Sequence, residues 1–155
     1  FNIILHSNKF SIKIKNSNIL DLFSGVGSFG LECLSRESSF VTFIENYKEV
    51  LPILKKNISN INSLDRTRII EKDIFNQFDF NIFNNKFDII FMDPPYKDQF
   101  LIGLLKEILK SKILKKDGII IIHRHKNEDD QFRELLNVLE EKTYGISKII
   151  FGNFS

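Results

Sequence analysis

Ten consecutive residues, Asp21-Leu22-Phe23-Ser24-Gly25-Val26-Gly27-Ser28-Phe29-Gly30, constrain this chain more than any other stretch. They join an apolar run, Ile19 to Phe23, that reads as a strand to a pattern over Ser28 to Ser35 that reads as a helix. Glycines at such a junction let the backbone turn tightly and approach a ligand closely. The helix start that follows offers unpaired N–H groups.

The alternation of short β-like runs and helical stretches continues. Phe40 to Glu45 is a second strand, rich in β-branched and aromatic residues. Val50, Leu51, Leu54 and Ile58 give residues 47–60 a helical spacing, with Pro52 near the start, where proline is tolerated. Arg68 to Glu71 is a short third strand. Phe87 to Asp93 is a near-continuous apolar run, as expected of a central parallel strand covered on both faces. Leu101 to Leu114 predicts a long helix closed by Asp117-Gly118, Ile119 to Ile122 a fifth strand, and Phe132 to Leu139 a further helix. Thr143 to Phe151 is β-prone around a bend at Tyr144-Gly145, residues 76–86 read as a surface loop or a loosely formed helix, and residues 1–15 are ambiguous. Strands alternating with helices predict an α/β fold with a parallel sheet. With 155 residues and neither repeat nor linker, one domain covering 1–155 is expected.

Composition narrows the function classes. Hydrophobic residues make up 43%, which excludes a disordered chain. The excess of Ile, Phe, Asn and Lys, with no Ala or Trp, reads as codon bias, so Lys and Asn runs carry little information. A net charge of +2 is not the footprint of a free-standing nucleic-acid binder, although a local patch can suffice. The single Cys33 excludes an internal disulfide and a multi-cysteine metal site, and fits a reducing, cytoplasmic setting. No apolar run reaches the roughly 20 residues needed to span a bilayer, and no signal-peptide pattern opens the sequence. The chain begins at Phe1, not Met, which leaves room for residues upstream.

Dinucleotide and adenosylmethionine sites both use a glycine-rich turn of this kind. The carboxylate of Asp21, just before the turn, separates them: it would repel a pyrophosphate and attract the ammonium group of a methionine moiety. Glu45, about 20 residues past the glycines, stands where an acidic residue binds ribose hydroxyls. Asp73, after the third strand, could accept from an adenine amino group with Ile74 against the ring. Each acid alone would be an ordinary loop residue. Their placement at three successive strand ends points to a ligand, because open α/β sheets bind ligands there.

Asp93-Pro94-Pro95-Tyr96 follows the fourth strand and is the most informative motif. Two prolines remove two backbone donors, so their surroundings present carbonyls. An exocyclic amine on a base is a poor nucleophile, because its lone pair is delocalised into the ring. If the Asp93 carboxylate and the Pro94 carbonyl each accept one N–H, the lone pair is aimed at a methyl donor; this is positioning and electrostatics. Tyr96 could stack on the base.

These residues together resemble the class I methyltransferases with an Asp-Pro-Pro-Tyr motif. More narrowly, the chain is similar to the RsmD family, the 16S ribosomal RNA guanine-N2 methyltransferases. The matching stretches are Phe1-Asn2-Ile3-Ile4-Leu5, Leu20 to Gly27, Leu31-Glu32-Cys33-Leu34-Ser35-Arg36, Phe91 to Tyr96, and Tyr144-Gly145. The resemblance implies a mostly parallel seven-stranded Rossmann-like sheet with helices on both faces, an antiparallel last pair around Tyr144-Gly145, and a helix remnant and connector over residues 1–15. It implies S-adenosyl-L-methionine as cofactor, held by Asp21, Phe23, Ser24, Gly25 and Gly27 at its methionine end, by Glu45 and Asn46 at the ribose, and by Asp73 and Ile74 at the adenine. Asp93, Pro94 and Tyr96 would grip the target amine. No metal is implied. The partner would be ribosomal RNA, as a small-subunit assembly particle or free, with the protein a cytoplasmic monomer.

Two departures stand out. The family carries a basic hairpin and an Arg-Pro-Thr segment upstream of the Phe-Asn-Ile-Leu helix, and these 155 residues include neither. The fifth strand, which in the family ends near a Glu, here ends His123-Arg124-His125-Lys126, a cluster that could touch phosphates or be a solvated strand end. Alternative readings are an adenine-N6 DNA methyltransferase, a glutamine-N5 protein methyltransferase, and a methyltransferase-like RNA-binding module without turnover. The chain is short for a target-recognition region, Asp93 stands where the glutamine enzymes have Asn, and both motifs are intact. A nicotinamide-dependent reductase is disfavoured by Asp21.

Overall fold

Seven strands form a single sheet in the order β3-β2-β1-β4-β5-β7-β6. They are β1 (Asn18–Leu22), β2 (Phe40–Ile44), β3 (Thr67–Ile70), β4 (Phe87–Met92), β5 (Leu114–His125), β6 (Asn137–Tyr144) and β7 (Ser147–Asn153). Four helices accompany them: α1 (Asn2–His6), α2 (Ser28–Ser35), α3 (Leu51–Asn60) and α4 (Asp98–Ser111). The computed structural model describes residues 1–76, 78–95, 98–129 and 131–154. The first five strands are parallel, and β7 pairs antiparallel with both β5 and β6. This is the α/β fold expected from the alternation, in the seven-stranded Rossmann-like form that the family resemblance implies.

Strand interiors explain the central position of β1, β4 and β5. Ile19, Leu20 and Leu22, Ile89, Ile90 and Met92, and Ile119 to Ile122 are buried on both faces, as parallel strands covered by helices must be. Alternate residues feed two separate cores. Ile19, Val41, Phe43, Ile89 and Ile121 meet Cys33, Leu34, Leu54 and Ile58 from α2 and α3, together with Ile4 of α1. Leu20, Leu22, Ile90, Met92 and Ile122 meet Leu101, Leu104, Leu105 and Ile108 of α4 on the other face. Helices therefore cover both faces. From β1 the chain winds outward through β2 and β3, then returns to lay β4 on the free edge of β1. That reversal opens a crevice at the carboxyl ends of β1 and β4.

Two expectations are corrected. Residues 132–139 do not form a helix; a 3₁₀ turn over Gln131–Glu134 leads into β6. The helical spacing of Phe132, Leu135, Leu136 and Leu139 arises otherwise. Phe132 and Leu136 are buried core anchors in the turn and just after it, and a bulge between Val138 and Glu140 breaks the strand's alternation. Pairing with β7 along its length overrides the local pattern. The fifth strand also begins at Leu114, not Ile119, because Asp117-Gly118 lies within it and not at a helix end. A Cβ at Gly118 would lie 3.0 Å from the Asp88 carbonyl oxygen, so only glycine lets the strand pass β4 there.

Gly30 makes the corresponding close approach between α2 and the sheet. A Cβ there would overlap the Phe43 ring and sit 2.8 Å from Val41 Cγ1, both from β2. Because both contacts lie in a close-packed core, Gly30→Ala is expected to lower stability by about 1–3 kcal/mol, the usual cost of overpacking. Denaturant unfolding measures it; an unchanged midpoint would show that the helix can lift off without cost.

Candidate active site

The turn between β1 and α2 has an unusual backbone. Phe23, Gly25 and Gly27 all have positive φ, at 59°, 54° and 89°. For Phe23 this is a strained conformation; Gly25 and Gly27 adopt it freely. The two glycines differ in what surrounds them. A Cβ on Gly27 would lie 2.6 Å from Leu54 Cδ1, whereas Gly25 has open space above it. The turn is pinned by Gly27 N–H donating to the Ser24 carbonyl at 2.8 Å and Ser24 N–H to Ile44 of β2 at 3.1 Å.

Glu45 sits at the end of β2 and spends most of its carboxylate on backbone. Its Oε2 accepts from Gly25 N–H at 2.8 Å, and its Oε1 accepts from the N–H groups of Asn46 and Tyr47, each at 2.8 Å. Asp73 accepts from Phe75 N–H at 2.9 Å through Oδ1. Asn46 is exposed beside Glu45, and Ile74 is buried in the core below α4.

Asp21 is 1% exposed at the end of β1. Its Oδ2 accepts from Gly30 N–H of α2 at 3.0 Å, while Oδ1 is buried without a hydrogen-bond partner. An acceptor left in this way costs free energy. Burial pushes the carboxyl up to about 7 from its ordinary 3.8; the Gly30 N–H opposes this, and the charges of Asp93 and Glu45 add to it.

Register brings the second carboxylate to the first. Asp21 pairs with Phe91 and Leu22 with Met92, so Asp93 and Pro94 emerge beside the glycine turn. Asp21, Phe23, Ser24, Gly25 and Asp93 line one cavity of about 730 Å³. Phe29 and Phe91 form part of its wall, stacked at 4.0 Å and 9°. Phe1 to Ile4, His123 and Tyr144 also line it. Glu45, Asn46 and Asp73 lie outside it, and Ile74 lines a second cavity, of about 640 Å³, with Phe78 and Phe100. Tyr96 lies outside the described residues.

The sequence reading gave no site role to Phe29, Phe91 or Tyr144, although it marked Tyr144-Gly145 as a bend and a family stretch. The first two carried a signal, since Phe91 shares the strand parity of Asp93 and Phe29 adjoins Gly30. The basic cluster at the end of β5 divides between the two faces. His123 turns to the cavity, its Nδ1 3.0 Å from Asp93 Oδ1. Arg124 is buried on the other side over the Phe132 ring, 3.4 Å from Glu128 Oε2. His125 and Lys126 are exposed. Among the described residues, no three His, Cys, Asp or Glu side chains are grouped to hold a metal ion.

The raised Asp21 pKa carries a sign. As pH rises from about 4 to 7, the unfolded chain gives up this proton before the folded one does, so the residue costs stability over that window and fully above it. Asp21→Asn is therefore expected to be more stable than the parent at pH 8, with the advantage shrinking towards pH 4. Thermal unfolding across pH measures this; a constant difference would contradict it.

Comparison with known proteins agrees with this architecture. The family model described as Conserved hypothetical protein 95 matches residues 1–153. The chain is 35% identical over 115 residues to the ribosomal RNA small subunit methyltransferase D of Buchnera aphidicola subsp. Acyrthosiphon pisum, covering 74% of this chain but 59% of that protein. It is 31% identical over 134 residues to the protein of the same name from Haemophilus influenzae, covering 86% and 69%. The crystal structure of a putative methylase from Haemophilus influenzae superposes with a TM-score of 0.78 at 30% identity, over 92% of this chain and 89% of that one. The chain belongs to the Conserved hypothetical protein 95 family, the RsmD family of class I methyltransferases that its Asp-Pro-Pro-Tyr and Leu-Glu-x-Leu-Ser-Arg motifs resemble.

Proposed function

We propose that in the cavity between the ends of β1 and β4 a methyl group passes from S-adenosyl-L-methionine to the exocyclic N2 amine of a guanine in small-subunit ribosomal RNA, the S–CH3 bond breaking as the N–CH3 bond forms, with S-adenosylhomocysteine and one amine proton released. The observation that carries this reading is the pair of carboxylates, Asp21 and Asp93, that adjacent strands deliver to one cavity. The residues fit the cofactor. Asp21 has a buried oxygen lacking a donor, which an ammonium group would suit in charge, and Gly25 leaves open space over a backbone held by Glu45. Bound there, S-adenosyl-L-methionine supplies an electrophilic sulfonium methyl.

The chain's own groups would then bind and orient. Phe23, Ser24 and Gly27 shape the turn on which the methionine end would rest. Glu45 Oε2 accepts one hydrogen bond and keeps capacity for a ribose hydroxyl, with Asn46 beside it. Asp73 Oδ2 could take the adenine amino group, with Ile74 backing that side from the core. Asp93 and the Pro94 carbonyl would each accept one N–H of the guanine amine and aim its lone pair, with Tyr96 over the base. Holding the nitrogen in near-attack geometry is the main contribution, because no deep acid–base step is needed. Single-stranded or looped RNA is the substrate class whose base edges are exposed; a paired guanine would have to be flipped. Such a substrate places the work in the cytoplasm, and among the described residues no helix is long and apolar enough to cross a membrane.

Two outcomes test the reading. With tritiated donor and under-methylated small subunits, naked rRNA and DNA in parallel, label is expected in guanine N2 of RNA. Asp93→Ala should abolish transfer while retaining cofactor binding; label in DNA, or near-normal turnover by the variant, would overturn it. Donor affinity is expected to rise with pH as Asp21 ionises near 7, and Asp21→Asn to be weaker and flat with pH. Calorimetry giving identical profiles would remove Asp21 from the cofactor site.

A further inference from the structure

Asp93 has an exacting task and little to hold it. It stands one residue past β4, and Pro94 and Pro95 offer no backbone N–H to fix a carboxylate. Asp21 lines the same cavity, and the two negative groups repel each other. The side chain is 52% exposed, so packing does not lock its rotamer. On the other side, Met92 pairs with Ile122, which sets His123 directly beside Asp93. Its Nδ1 lies 3.0 Å from Asp93 Oδ1, a contact that is an ion pair only when the imidazole is protonated.

We infer that His123 is a positioning residue, which draws Asp93 Oδ1 toward β5 and leaves Oδ2 to receive the substrate amine. The inference rests on the proposed function for its catalytic part and on the β4–β5 register for its structural part. The contact is too exposed to matter much for folding, because exposed pairs of this kind add little to stability. Its effect lies in placement. A carboxylate that swings to another rotamer moves its acceptor by more than a bond length, and a misplacement of about 1 Å can cost a hundredfold in rate. Strand alternation excludes Arg124, and distance along β5 excludes His125, which leaves this role to His123 within the cluster. Arg124 points to the opposite face and packs on Phe132, while His125 pairs in register with Ser147 at the exposed strand end.

Two measurements on the whole protein decide it. In 15N-histidine-labelled protein, with His6, His123 and His125 assigned by substitution, neutral His123 is expected to carry its proton on Nδ1, facing Asp93. Asp93→Ala should shift that proton toward Nε2, the tautomer of an unheld imidazole. An unchanged signature would overturn the contact, whether or not methyl transfer is found. In the transfer assay, His123→Ala should lower kcat roughly ten- to a hundredfold with KM for the methyl donor unchanged. His123→Asn, whose amide nitrogen takes the place of Nδ1, should recover most of the rate. Parent-level kcat in His123→Ala, or equal losses in the two variants, would overturn the positioning role. A parent protein that transfers no methyl counts against the proposed function, and the nitrogen signature then decides the contact by itself.

Discussion

The pairing of β1 with β4 is the constraint on which everything else depends. These strands are distant in sequence, and their parallel register sets Asp21 opposite Phe91. Without it the glycine turn and the Asp-Pro-Pro motif would be two separate loops. With it, two carboxylates and a stacked pair of phenylalanines share one cavity. The cost of that convergence is visible in Asp21, whose carboxyl is lifted to about 7 by burial and by the neighbouring charges.

A buried acid with one oxygen unsatisfied is poor for stability. The fold tolerates it because the interiors of the strands around it are mainly apolar. Ile19, Leu20, Leu22, Ile89, Ile90 and Met92 leave the strands no alternative register that would bring Asp21 to solvent without burying fewer side chains. The positive φ of Phe23 belongs to the same arrangement: strain at a turn persists where the surroundings over-determine it. Stability is thus given up at the residues assigned to ligand binding and restored by the two cores.

Much of this was legible in the sequence, for physical reasons. The helix at Ser28–Ser35 has the bounds expected of it, because a glycine turn marks its start and a long apolar strand precedes it. The central strands announced themselves as continuous apolar runs. What escaped was set by pairing between distant segments. Residues 132–139 show a helical period, yet they form a 3₁₀ turn and a short connector, and pairing with β7 takes residues 137–139 into β6. The side chains of His123 and Arg124 part to opposite faces, which no local pattern reveals until the register of β5 is known. Glu45 was recognisable as an acid at a strand end, but not as the acceptor that holds the glycine turn by its Gly25 N–H.

The central claim is that the cavity at the junction of β1 and β4 receives the methionine end of the cofactor. A crystal structure of the protein with S-adenosylhomocysteine tests it most directly. The account predicts the ligand's amino group beside Asp21 and its sulfur facing Asp93. A ligand whose amino group lies away from Asp21, or whose sulfur faces away from Asp93, would contradict it.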